Sequence, residues 1–103
     1  MSLNKIAEKH TLNKLKLLEV GSLRLINYDG KEFVFGNPNS SLKADIKIIN
    51  PKFYLNIILG GSSALGESYV NKDFETNDLT KLIEMTARNI NLIYKFSGSI
   101  KLQ

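Results

Sequence analysis

The pair Asp29-Gly30 constrains this chain more than any other feature, because it separates two apolar segments, 22–26 and 33–36. A two-residue hairpin turn needs positive φ at both central positions, and Asp-Gly is one of the few pairs that tolerates this. The pattern therefore predicts a β-hairpin over residues 22–36. A two-residue turn at this position makes three facing pairs: Ile26 with Phe33, Leu25 with Val34, and Arg24 with Phe35.

The predicted register gives the hairpin two apolar faces, one with Leu23, Leu25 and Val34 and the other with Ile26, Phe33 and Phe35. An antiparallel hairpin that is exposed on one side usually carries polar residues there. We therefore expect something to cover the outer face. A helix, a partner subunit or an acyl chain would serve, and the N-terminal helix is the favoured cover.

Residues 3–18 are predicted to form an amphipathic helix. On a helical wheel, one face carries Leu3, Ile6, Ala7, His10, Leu17 and Leu18. The other face carries Lys5, Lys9 and Lys16, with Leu12 misplaced among these lysines. The simpler interpretation is a solvated lysine face on a helix that packs against the core. The alternative is a basic face with an apolar tip that touches a membrane.

The middle of the chain predicts a strand followed by a short helix. Apolar and polar residues alternate over 42–49, as in a strand with one buried face. Asn50-Pro51 is typical of a helix start, because asparagine caps free amides and proline fits the first turn. The helix is expected over 51–59 and to end at Gly60-Gly61. A loop and a short strand are expected over 60–76.

The last predicted helix covers 78–94. Its apolar stripe is expected to contain Leu79, Leu82, Ile83, Thr86, Ala87, Ile90 and Ile93. Residues 95–103 are expected to form a tail. The elements together predict a single α+β domain over 1–103, with a small and mostly antiparallel sheet, the N-terminal helix and two further helices.

The residue types argue against catalysis by this chain alone. It has no cysteine and one histidine, His10, on the apolar face of the first predicted helix. Nucleophilic catalysis needs a base beside the nucleophile, and a metal site needs several converging ligands; the sequence indicates neither. The glycine spacing from Gly61 to Ser68 is that of a phosphate-binding loop, but Glu67 replaces the lysine and would repel phosphate. We expect no catalytic residue, metal or bound cofactor.

Charge and hydropathy limit the classes of partner that this chain is expected to bind. A net charge of +4 suits an anionic surface, but the lysines do not form the dense, aromatic-interleaved stripe typical of nucleic-acid binding. No apolar segment approaches the roughly 18 residues that a membrane-spanning helix needs. The excess of apolar residues favours an apolar ligand or a protein partner.

Several short motifs occur in an order that resembles one known family. They are Gly21-Ser22-Leu23-Arg24-Leu25, Asp29-Gly30, Phe35-Gly36, Ala44-Asp45-Ile46, Asn50-Pro51-Lys52-Phe53-Tyr54, Leu65-Gly66-Glu67-Ser68-Tyr69-Val70, Asp78-Leu79-Thr80-Lys81-Leu82 and Arg88-Asn89. The pattern is similar to the N-terminal domain of cyclopropane-fatty-acyl-phospholipid synthases. The densest match is 65–70. Asn71-Lys72-Asp73 departs from the family, which has an acidic residue followed by glycine there.

The resemblance implies a sterol-carrier-like, non-catalytic domain that engages phospholipid or an anionic membrane surface. In this family a separate methyltransferase domain, which binds S-adenosylmethionine, follows and performs the chemistry; dimers are common. It implies a cytoplasmic protein, peripheral at the inner membrane surface. Two alternatives remain open: a dimerisation or docking module for a methyltransferase, and a stand-alone lipid carrier.

The expected lipid- or partner-binding residues lie in two segments. They are Phe53, Tyr54, Ile57 and Ile58 in the short helix, and Leu65, Gly66, Glu67, Ser68 and Tyr69 in the densest motif. Glu67 and Tyr69 would orient a headgroup or the catalytic domain. The alternative is that these residues only turn, cap and fill the core.

Overall fold

The structure is a computed structural model that describes residues 2–92, with residue 62 described by its backbone alone. Its elements are α1 (Leu3–Leu15), β1 (Ser22–Ile26), β2 (Glu32–Gly36), β3 (Lys43–Ile48), α2 (Lys52–Val70), β4 (Phe74–Glu75) and α3 (Leu79–Arg88). The predicted tail, 95–103, and the last residues of the predicted helix 78–94 lie outside the described residues.

The strands form one four-stranded sheet in the order β2-β1-β3-β4. β1 is antiparallel to β2 and parallel to β3, and β3 is antiparallel to β4. The parallel pair arises because the loop 37–42 crosses the start of β1, so that Gly36 and Lys43 both face Ser22. The predicted α+β class is confirmed, and two of the three strand pairings are antiparallel.

The hairpin forms at the predicted place, but the predicted register is wrong by one residue. Ile26 faces Glu32, Leu25 faces Phe33 and Arg24 faces Val34. The turn has three residues, because Asn27 N donates to Lys31 O over 2.8 Å and Gly30 N donates to Asn27 O over 2.9 Å. Gly30 has a φ of 89°, as in a type I turn that ends in a left-handed glycine.

The observed register removes the need for a cover over the outer face. Leu23, Leu25, Phe33 and Phe35 share the face toward the core. On the outer face, Arg24 pairs with Glu32 over 2.9 Å, and Val34 is 61% exposed. The prediction of two apolar faces was therefore wrong, because it followed from the two-residue turn.

The second helix is longer than predicted. Instead of ending at Gly60-Gly61, α2 continues to Val70, so the predicted loop over 60–70 is wrong. The glycines do mark a kink: Gly61 has φ 62° and ψ −143°, which a residue with a Cβ adopts only with strain. The chain bends there and resumes helical geometry, which lets Ala64 and Ser68 pack inward.

Within α1, Ala7 alone of the predicted apolar face is buried. Ala7 and Thr11 are its buried residues, and Leu12, the supposed misfit, packs against the core. Leu3 and Ile6 are 62% and 50% exposed. The helix ends at Leu15, so Leu17 and Leu18 lie beyond it and do not define its apolar face.

The core-facing stripe of α3 matches the predicted one in part. Leu82 is buried and Leu79 packs against the core, as predicted, whereas Ile83, Ala87 and Ile90 are exposed. The prediction omitted Met85 and Asn89, which are buried. Asp78 caps the helix and accepts a hydrogen bond from Lys81 N at 3.1 Å.

The core lies between the inner sheet face and the helices. Its largest fully buried side chains include Tyr54, Phe74, Leu25 and Ile48. Phe53 meets Tyr54 and Phe74 edge-on, with ring centroids 5.6 and 5.4 Å apart. Among residues 2–92, no helix combines the length and apolar character that crossing a bilayer requires.

Candidate functional site

The four predicted site residues of the first half of α2 lie in the core. Phe53, Tyr54, Ile57 and Ile58 are all buried, and Tyr54 has no exposed surface. They do not form an open groove. Their periodicity places them on the helix side that faces the sheet, which is the ordinary role of apolar residues in such a helix.

The predicted motif Leu65–Tyr69 does not form one patch. The segment is helical, so its side chains point in several directions. Leu65 packs against the core, Ser68 is buried, and Gly66 and Glu67 are exposed. Tyr69 is 43% exposed and lies against the ring of Phe74, with centroids 5.7 Å apart.

A groove that the sequence did not predict lies between α1 and the hairpin. It has a volume of about 560 Å³ and is lined by Lys5, Glu8, Lys9, Leu12, Asn13, Lys16, Asn27, Asp29, Lys31, Phe33 and Phe35. We call it the lysine groove. Phe33 and Phe35 stack in it with centroids 5.9 Å apart and planes 10° from parallel. Phe35 is buried and Phe33 is half-buried, so Phe33 supplies the accessible aromatic surface beside four ammonium groups.

The lysine groove has a net positive charge, because its four lysines outnumber its two carboxylates, Glu8 and Asp29. Glu8 accepts hydrogen bonds from Tyr28 and from Asn27 Nδ2, the latter at 3.0 Å, and lies 3.8 Å from Lys5 Nζ. The Tyr28 hydroxyl and the charge of Glu8 raise the pKa of Lys5.

The other lysines of the groove are free to meet an anion. Within the described part of the chain, the ammonium groups of Lys9, Lys16 and Lys31 form no ion pair within 4 Å. Lys9, Lys16 and Lys31 are also exposed. The groove can therefore attract an anionic group without first breaking an internal pair.

A buried polar network holds α1 in place beside the groove. The Tyr54 hydroxyl donates to Asn27 Oδ1 over 2.6 Å, and Asn27 in turn donates to Glu8. The network thus joins α2, the hairpin turn and α1. Burial raises the pKa of Tyr54, which stays protonated as a donor. No local pattern revealed this network, because its members lie 19 and 27 positions apart in the chain.

Two exposed apolar side chains lie on α1 outside the lining of the lysine groove. Leu3 is 62% exposed and Ile6 is 50% exposed. In the sequence they alternate with Lys5 and Lys9. Apolar side chains beside lysines on one helix are typical of elements that lie in a membrane interface.

A second concave surface lies on the outer face of the sheet. It has a volume of about 760 Å³ and is lined by Arg24, Ile26, Asp45, Lys47, Tyr69, Val70, Lys72, Phe74, Glu75, Thr76 and Asn77. We call it the sheet groove. Arg24 pairs with Glu32, and Asp45 accepts hydrogen bonds from Thr76 and Asn77. Lys47 and Lys72 also line this groove, and within the described residues they form no ion pair. Its three basic residues are opposed by Asp45 and Glu75, so its net charge is smaller than that of the lysine groove, where four lysines are opposed by two carboxylates.

Comparison with known proteins adds no relative. Models of protein families, curated proteins and solved structures gave no match to this chain. Residues 2–92 contain no group of three or more potential metal ligands. The functional argument therefore depends on the surfaces of the molecule itself.

Proposed function

We propose that this chain is a lipid-engaging domain that binds anionic phospholipid surfaces through the lysine groove and the exposed side of α1. The observation that carries this proposal is the combination of three unpaired lysines with the stacked Phe33 and Phe35 in one groove. Such a surface complements an amphiphile, whose headgroup meets the ammonium groups and whose apolar part meets the rings.

The expected affinity is modest. Each lysine near an anionic membrane contributes about 1 kcal/mol, so Lys9, Lys16 and Lys31 contribute about 3 kcal/mol. Leu3 and Ile6 are half-exposed, and burying the remainder of each side chain adds roughly 1 kcal/mol. The sum, roughly 5 kcal/mol, describes reversible peripheral association rather than permanent anchoring.

The test is flotation of the purified chain with vesicles of phosphatidylcholine, with and without 30% phosphatidylserine. The chain is expected to float with the anionic vesicles alone, and to be released as salt shortens the Debye length. The double variant K9E/K16E should lower binding by roughly 30-fold or more, because it removes two attractive charges. The matched control is K52E/K81E, which makes the same charge change at exposed positions outside the groove.

Two results would contradict the proposal. One is the absence of flotation with anionic vesicles at low salt. The other is an equal loss of binding in K9E/K16E and K52E/K81E, because net charge alone would then explain the association.

The sheet groove favours a second candidate function, which is docking of a protein partner such as a methyltransferase domain or a second copy. Tyr69 and Val70 lie at this groove and are 43% and 76% exposed. A Val70→Asp change should then abolish the complex and leave vesicle binding intact. Size-exclusion chromatography with light scattering distinguishes the dimer from the monomer.

The relationship to cyclopropane synthases stays part of this proposal. It rests on the motif order quoted from the sequence, and it predicts that the coding region or its neighbour encodes a domain that binds S-adenosylmethionine. A stand-alone carrier would lack such a domain and would extract lipid from vesicles into solution. The proposed role is accessory and non-catalytic, at the inner face of the cytoplasmic membrane.

A further inference from the structure

A small apolar cavity lies where all layers of the fold meet. It has a volume of about 90 Å³, and its lining includes Thr11 of α1, Leu25 and Ile46 of the sheet, Phe53 and Leu65 of α2, and Thr86 of α3. The cavity is separate from the lysine groove, with which it shares no lining residue. Leu15, Leu65 and Thr86 are partly exposed, so the cavity approaches the surface between the three helices.

One polar group in this cavity is unsatisfied. Thr11 is 3% exposed, and its Oγ1 has no hydrogen-bond partner among residues 2–92. A threonine hydroxyl in a helix commonly donates to the carbonyl four residues before it. Thr86 does so, over 2.9 Å to Leu82 O, whereas Thr11 does not. Buried polar groups are rarely left without a partner, so this hydroxyl calls for an explanation.

We propose that the cavity binds a small, neutral, mostly apolar molecule whose hydroxyl or carbonyl group hydrogen-bonds to Thr11 Oγ1. An apolar core cavity of about 150 Å³ stays dry and binds benzene. The present cavity is smaller, but it opens toward the surface between the helices. The lining residues carry no charge, so a carboxylate or an ammonium group would be buried without a partner. The occupant is therefore a compact alcohol, phenol or ketone rather than a fatty acid.

This inference goes beyond the proposed membrane function. The lysine groove binds anionic headgroups at the surface, whereas the cavity binds an uncharged molecule inside the core. The kink at Gly61 borders the cavity. The helix is thus bent at the point where the space opens.

The test titrates the purified chain with phenol, toluene and benzoate, and follows amide resonances by NMR. Phenol and toluene should shift resonances of residues that line the cavity, and benzoate should not. Thr11→Val preserves shape and removes the hydroxyl. It should lower the ratio of phenol affinity to toluene affinity by about fivefold, which is the effect of one neutral hydrogen bond.

A second variant tests the space itself. Ile57→Phe fills the cavity and should abolish binding of both phenol and toluene. Leu59→Phe makes a similar enlargement at a position that is 63% exposed, and should leave both affinities unchanged. If circular dichroism shows that Ile57→Phe does not fold, the comparison of Thr11→Val with the wild-type chain still tests whether the cavity binds the ligand through Thr11.

Two outcomes overturn the inference. If neither phenol nor toluene binds the wild-type chain at millimolar concentration, the cavity is a packing void. If Thr11→Val leaves the affinity ratio unchanged, Thr11 does not recognise the ligand. Neither outcome depends on vesicle flotation, so failure of this inference and failure of the membrane proposal are distinguishable.

Discussion

Replacing Tyr54 by phenylalanine removes one hydroxyl group from the network that positions α1. The ring of Tyr54 is buried and stays packed against Phe53, because phenylalanine has the same shape without the oxygen. The variant therefore changes hydrogen bonding and leaves apolar packing intact. It isolates the contribution of the Tyr54–Asn27–Glu8 network.

The expected magnitude follows from the partner that the variant leaves behind. Asn27 is 3% exposed, and its Oδ1 accepts the Tyr54 hydroxyl at 2.6 Å. Without that donor the amide oxygen is buried and unpaired, which costs about 1–3 kcal/mol. For a domain of this size, each kcal/mol lowers Tm by roughly 4–8 °C.

Urea denaturation followed by circular dichroism measures the free energy of unfolding directly. The matched control is Tyr28→Phe, because Tyr28 also donates to Glu8 but is only half-buried, so water can replace its hydroxyl. Its expected cost is below about 1 kcal/mol. A Tyr54→Phe chain that is as stable as wild type, or less affected than Tyr28→Phe, would refute the network as described.

Three further predictions follow from other contacts. Burial raises the pKa of Tyr54 above its ordinary value of 10.0, so the stabilisation by the protonated hydroxyl is complete below pH 10 and is lost as pH rises toward the folded-state pKa. Urea denaturation at alkaline pH should show the free energy of unfolding falling by up to about 1.4 kcal/mol per pH unit. Tyr54→Phe should flatten this pH dependence. Thr11→Val should leave stability unchanged or raise it by about 1 kcal/mol in thermal denaturation, because it removes an unpaired buried hydroxyl; a loss above 1 kcal/mol would show that the hydroxyl has a partner. Asn89→Ala should cost about 3 kcal/mol of unfolding free energy, because Asn89 Oδ1 accepts from Glu19 N and Val20 N while Nδ2 donates to Val20 O; a cost below 1 kcal/mol would contradict this role.

In the hairpin, the sequence determines the position of the turn but not its length. Asp29-Gly30 located the turn correctly, because a left-handed glycine is a local requirement. The length of the turn could not be read from these residues, because the same sequence is compatible with a two-residue turn and with a three-residue turn that ends at Gly30. One residue of difference exchanged every facing pair and created a false apolar outer face.

The helices show a similar division. The kink at Gly61 was visible as a glycine pair, but continuation of the helix to Val70 depends on Ala64 and Ser68 packing inward. The core-facing sides of α1 and α3 were predicted only in part, because two buried polar residues were counted as exposed. Thr11 and Asn89 are buried through tertiary contacts, which a periodicity of hydrophobic residues does not register.

The candidate site was largely beyond prediction for the same reason. The residues chosen from the sequence were apolar or belonged to the densest motif, and most of them lie in the core. The lysine groove combines α1 with β2, which are separated by a whole strand, so its lysines and its two phenylalanines meet only in the folded chain. The basic face of α1 was the available signal, and its association with a membrane stays a prediction.

The most direct test of the central claim is a map of the residues that contact an anionic lipid surface. Amide resonances of the labelled chain are recorded with phosphatidylcholine bicelles that contain 30% phosphatidylserine and a paramagnetic lipid. We expect the strongest broadening at Leu3 and Ile6 on the exposed side of α1 and at Phe33 in the lysine groove. Broadening centred on Tyr69 and Val70 at the sheet groove, or no broadening at all, would contradict it.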